Sequence, residues 1–224
     1  MELRDAITTT GTTRYFSPRE VPDEVLEAAI EVARFGPSGG NRQPLRWIAV
    51  REPARKAALA ELYLPLWKRD MRKFLGGEME SGSDLDSAVR AADDFAESMA
   101  EAPVILVACA LLEGMHAHML DADGRPNMLA GSSVYPMVQN LCLALRDAGV
   151  GTAITTLICE REREAARILE LPEGVVCACH VVAGYPARDF PRRLTRLPVS
   201  ELLFGESYGR CAADSSRPTT TCQI

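Results

Sequence analysis

Gly36-Pro37-Ser38-Gly39-Gly40-Asn41-Arg42-Gln43-Pro44 lies between a segment of helical period and the apolar run Trp47-Ile48-Ala49-Val50. Proline fixes φ and glycine permits positive φ, so this loop can turn its backbone amides and the Ser38, Asn41 and Gln43 side chains toward one small planar object. The stretch therefore reads as a ligand cradle. A helix cap at Gly36 followed by an ordinary helix-to-strand turn is the competing reading, and the loop alone does not decide between them.

Upstream, Val21-Pro22-Asp23-Glu24 opens a helix with acids in its first turn and apolar Val25, Leu26, Ala29, Ile30 and Ala33 at helical spacing. Glu2 to Thr9 is expected as a short helix, and the Thr-rich run to Thr13 as extended chain before Arg14-Tyr15-Phe16. Downstream, Arg46 to Arg51 reads as a buried strand and Pro53 to about Leu64 as a helix. From Pro65 to Met99 the chain becomes amphipathic and then polar and glycine-rich, as in a lid that leaves a compact body. Within it Asp86 to Ala100 is expected as a helix, and Val104 to Ala110 as the strand after it.

A loop with His116 and His118 follows; with no cysteine or further histidine nearby, a metal site is not expected. Val134 to about Ala148 is a helix apolar enough to be central or to lie in a subunit interface. Thr152 to Ile158 reads as extended chain, Glu160 to about Glu170 as a charged helix, and Val175 to Ala183 as a strand with Cys177 and Cys179 expected on one face. Arg188, Arg192, Arg193 and Arg196 then make a basic stretch suited to phosphate, because guanidinium forks pair with phosphate oxygens.

Composition narrows the function classes. A net charge of −6 over 224 residues gives no positive field to recruit nucleic acid or an anionic membrane surface, which points to a small molecule or another protein as partner. Seven cysteines, odd in number and mostly inside apolar runs, suggest buried reduced thiols and a cytoplasmic location. No run approaches the roughly 18 apolar residues of a membrane span.

Arg14-Tyr15-Phe16 with Val21-Pro22, the loop from Pro37 to Pro44, Val138-Gln139-Asn140-Leu141 leading into Gly149-Val150-Gly151, and Gly184-Tyr185-Pro186 before the basic stretch resemble the FMN-dependent nitroreductase family, in order and at similar spacing. The resemblance covers roughly residues 1 to 205. It implies an α+β fold, a mixed central sheet wrapped by helices, and an intertwined homodimer with FMN at the subunit interface. Residues 1–210 would form one FMN-binding domain and 211–224 a disordered tail. The implied chemistry is hydride transfer from NADPH or NADH to flavin, then to a nitroaromatic, quinone or similar small acceptor.

Matching positions imply roles for single residues. Arg14 falls where the family places a cation beside the flavin pyrimidine, with Thr12 just before it in the arm. Pro37, Ser38 and Asn41 would edge the ring system, Thr155, Thr156 and Leu157 would approach its N5, and Arg193 and Arg196 would hold the phosphate. No side chain is expected to act as an acid, base or nucleophile. Thr10-Gly11-Thr12 stands where many members carry Arg-Arg-Ser, so phosphate partners are missing there. Flavin-dependent dehalogenation or dehydrogenation on the same scaffold, and a flavin-binding protein without activity, remain open as alternatives.

Overall fold

Pro22 leads into helix α2 (Asp23–Ala33), and the acids Asp23 and Glu24 place negative charge against the positive end of the helix dipole. Its Leu26, Ala29 and Ala33 are buried at three- and four-residue spacing. The structure is a computed structural model that describes residues 1–74, 87–115, 123 and 129–209. The predicted tail at 211–224 and the histidines 116 and 118 lie outside the described residues, as does part of the predicted lid, 75–86. Two compact units are present: Met1–Pro191, and a second beginning at Arg192.

Four strands form the sheet of the first unit: β1 (Leu45–Val50), β2 (Val104–Leu111), β3 (Gly151–Thr155) and β4 (Val175–Gly184). Their order is β1-β2-β4-β3, and every ladder is antiparallel. The parallel component of the expected mixed sheet is one bridge, Thr12 to Thr152. Gly151 makes that bridge possible, since a Cβ there would collide with the Thr13 side chain.

Helices cover both faces. On one, α2 and the long α5 (Tyr135–Asp147) pack Val138, Leu141 and Leu145 against Leu106, Val181 and Ala183. Leu141 and Leu145 are fully buried, a contribution of about 1.5–3 kcal/mol each. On the other, α3 (Pro53–Phe74), α4 (Ser87–Ser98) and α6 (Glu162–Leu169) enclose Leu59, Tyr63, Phe95, Ile105, Val107 and Val182. β2 is buried on both sides, which explains its unbroken apolar reading. The N-terminal helix α1 (Leu3–Thr9) forms as expected.

Two expectations fail for clear physical reasons. Helix α3 does not stop at Leu64 but runs through Pro65 to Phe74. Pro65 is exposed, so the carbonyl that loses its donor can face water, while buried Leu66 and Met71 keep the helical face anchored. Cys177 and Cys179 lie on opposite faces of the sheet. A bulge shifts the β2–β4 register between Ala108 and Cys109, so that Ala178 and Cys179 share one face and Cys177 takes the other.

Candidate functional site

The arm from Thr12 to Ser17 is stitched to the sheet by backbone bonds: Thr13 N donates to Thr152 O at 2.8 Å, Ser17 N to Tyr185 O at 2.8 Å, and Ala187 N to Tyr15 O at 2.9 Å. This places Arg14 beside two cavities. The first, of about 170 Å³, is lined by Thr12, Thr13, Arg14, Tyr15 and Arg188 among others. The second, of about 200 Å³, is lined by Arg14, Phe16, Ser98, Glu101 and Ala187 among others. Among the described residues Arg14 and Arg188 form no ion pair; the Arg188 guanidinium rests 3.7 Å from the Tyr15 ring centroid. Two guanidinium groups and threonine hydroxyls outnumber the one carboxylate of this cavity, Asp189, and make a donor set for an anion.

The glycine-rich loop is held in a strained shape. Gly40, Asn41 and Gln43 all take left-handed conformations, with φ of 61°, 54° and 49°. For non-glycine residues this costs on the order of 1–3 kcal/mol each and is concentrated at ligand clamps. Gln43 N donates to Ser38 Oγ and Gly39 N to Ser133 Oγ, both at 3.0 Å. The Ser38 oxygen therefore braces the loop, and its own proton remains available to a ligand. Ser38, Gln43, Arg46 and Ser133 line a cavity of about 140 Å³, with Pro37 and Asn41 exposed beside it.

The end of β3 separates its two threonines. Thr155 is buried, whereas Thr156 is exposed and Leu157 half-buried. Across the ladder from Thr155 stands His180, fully buried, with no partner for either ring nitrogen among the described residues. Burial pushes its imidazole down to about 4, so it is neutral at neutral pH.

The structure thus joins Arg14, Thr12 and Thr155 through the arm and β3, but it gives the loop of Pro37, Ser38 and Asn41 a separate cavity. Arg193 and Arg196 belong to the second unit, where both are exposed and Arg196 Nη1 donates to Thr195 O at 2.7 Å. Sequence reasoning missed Ser133, whose tie to Gly39 N forms only in the folded chain. The cysteines near Glu162 are not a reactive site: burial pushes the Cys159 thiol up to about 11, and Cys177 N donates to the Glu162 carboxylate at 3.0 Å. Among the described residues no group of His, Cys, Asp or Glu could hold a metal ion, and no helix is long and apolar enough to cross a membrane.

The family model described as the nitroreductase family matches residues 7–185, which take in the arm, the loop and all four strands. The chain belongs to the nitroreductase family. Among curated relatives of this family member, an NADH dehydrogenase of Thermus thermophilus is 29% identical over 85% of this chain and 89% of its own length. An iodotyrosine deiodinase of Nematostella vectensis is 23% identical, covering 86% of this chain and 70% of that protein. A crystal structure of oxidized iodotyrosine deiodinase bound to FMN and 3-iodo-L-tyrosine superposes with a TM-score of 0.67 at 22% identity, over 88% of this chain and 96% of the other. That likeness establishes the α+β fold.

Proposed function

We propose that this chain is an FMN-dependent oxidoreductase that takes hydride from NADH or NADPH and delivers it to a small acceptor such as a nitroaromatic or quinone. The observation that carries the reading is Arg14: a guanidinium without an ion pair among the described residues, on an arm docked to β3, with Thr12 and Arg188 around the same cavity. These residues fit FMN. Arg14 would face the pyrimidine, where a fixed cation stabilises negative charge, and Thr12 and Arg188 offer donors to phosphate oxygens. Arg193 and Arg196 would add further phosphate contacts. FMN, when bound, supplies the hydride acceptor and donor; the chain supplies binding, orientation and charge.

A homodimer completes this reading. Within one chain the loop and the arm line different cavities, while Val32, Phe35, Tyr135 and Ile154 are exposed apolar side chains. A second copy would cover them and bring the loop's Pro37, Ser38 and Asn41 to the partner's flavin. The described cysteines are all unpaired, which supports a reducing compartment and the cytoplasm.

Reductive dehalogenation is the second reading, favoured by the exposed Thr156 at the end of β3 and by the iodotyrosine deiodinase relatives. Anaerobic addition of NADH or NADPH tests the first reading: bleaching of the bound flavin supports it. Flavin that neither nucleotide bleaches, together with turnover of a halotyrosine under dithionite, would replace it with the second.

A further inference from the structure

A Cβ on Gly36 would meet Met137 N at 2.6 Å, so the chain leaving α2 is pressed onto the first turn of α5. This contact gathers Arg34, Ser38, Arg46 and Ser133 around one cavity of about 140 Å³, and among the described residues no carboxylate lines it. Arg34 is already engaged: its Nε and Nη2 donate to the two carboxylate oxygens of Glu31 at 2.9 and 2.6 Å. Arg46 forms no ion pair among the described residues. Its Nη1 donates to Gln43 O at 2.9 Å and to Leu45 O at 2.8 Å, which fixes the guanidinium and leaves the edge formed by Nε and Nη2 uncommitted. Ser133, 7% exposed, accepts from Gly39 N, and Ser38 accepts from Gln43 N, so both hydroxyl protons remain to be donated.

We propose that this cavity is a subsite for the carboxylate of a small acceptor, with Nε–H and Nη2–H of Arg46 paired to its two oxygens and the Ser38 and Ser133 hydroxyls as further donors. One guanidinium edge and two neutral hydroxyls match a planar group of single charge. A dianionic phosphate is better matched by the two arginines around the arm cavity. The ligand's identity as an acceptor rests on the FMN and homodimer reading above, in which the loop meets the partner's flavin and the reducible end of the acceptor would face the ring.

The test compares 4-nitrobenzoate with its neutral analogue 4-nitrobenzamide, by calorimetry on the oxidised holoprotein and by KM and kcat in turnover. Wild type should bind the benzoate roughly tenfold or more tightly than the benzamide. Arg46→Ala should abolish the difference by weakening the benzoate alone, and Arg46→Lys, which keeps the charge without the fork, should retain part of it. KM should follow the affinities while kcat stays within about twofold. Equal affinity for the two probes in wild type, or a preference for the benzoate that survives Arg46→Ala, overturns the inference and leaves the FMN reading standing. An Arg46→Ala variant that keeps nitrobenzoate but loses NADPH and not NADH, or FMN and not riboflavin, also overturns it, because the oxyanion held there would be a phosphate. A wild type that takes up no FMN yet binds nitrobenzoate through Arg46 overturns the function proposed above and keeps the subsite.

Discussion

The Tyr15 hydroxyl donates to Asp94 Oδ2 at 2.7 Å, which fastens helix α4 to the residue next to Arg14. The carboxylate holds the Tyr15 phenol above its usual pKa, and the Arg188 guanidinium lies over the other side of the ring. Arm, α4 and the chain leaving β4 therefore meet on one aromatic side chain. Asp94→Ala should loosen the arm locally, so the amides of Ser17 and Ala187 should exchange hydrogen several-fold faster while those of α5 keep their protection. Exchange unchanged at both amides would show that the backbone pairing alone secures the arm.

The phosphate assignment predicts a selective loss. Charge-assisted hydrogen bonds contribute about 1.5–3 kcal/mol each, so Arg188→Ala, and separately the pair Arg193→Ala with Arg196→Ala, should weaken FMN binding at least tenfold. Riboflavin lacks the phosphate and should bind all variants alike. Fluorescence titration with both ligands measures this. A variant that loses riboflavin as strongly as FMN would place its arginine elsewhere in the site.

Assembly makes a third prediction. If a second copy covers Val32 and Phe35, Phe35→Asp should force a charge into that contact, shift the protein to monomer in light scattering and release the flavin. Wild type should be a yellow dimer. A Phe35→Asp monomer that keeps FMN would show that the loop and arm of one chain suffice.

The elements that position the site were legible where local chemistry agrees with the fold. Pro22 and its following acids announced α2, and the loop's glycines announced positive φ, found at Gly40. Asn41 tolerates the left-handed region, but nothing marks Gln43 for it, because the tie to Ser38 Oγ appears only when the turn has formed. Pro65 reads as a helix breaker in the sequence, and only the fold shows that it faces solvent. The bulge at Ala178 is invisible to period-two reasoning, since an extra residue leaves the apolar pattern intact in a strand buried on both faces.

His180 gives the pH dependence. Folded, its imidazole titrates at about 4; unfolded, at its ordinary 6.5, with burial as the cause of the difference. Above 6.5 both states are neutral, and the histidine makes no pH-dependent contribution. Between 6.5 and 4 the unfolded chain binds a proton that the folded one refuses, so stability falls as pH falls. Two and a half pK units correspond to a loss of about 3 kcal/mol. Urea unfolding from pH 7 to 4 should show it as a steady drop in midpoint. Carboxylates add their own titration at the acid end, so the comparison is with His180→Leu, which keeps an apolar group of similar size among Val107 and Thr155. The difference between the two proteins should widen steadily in favour of the variant as pH falls from 6.5. Parallel profiles would show that His180 finds a partner for its proton in the folded protein.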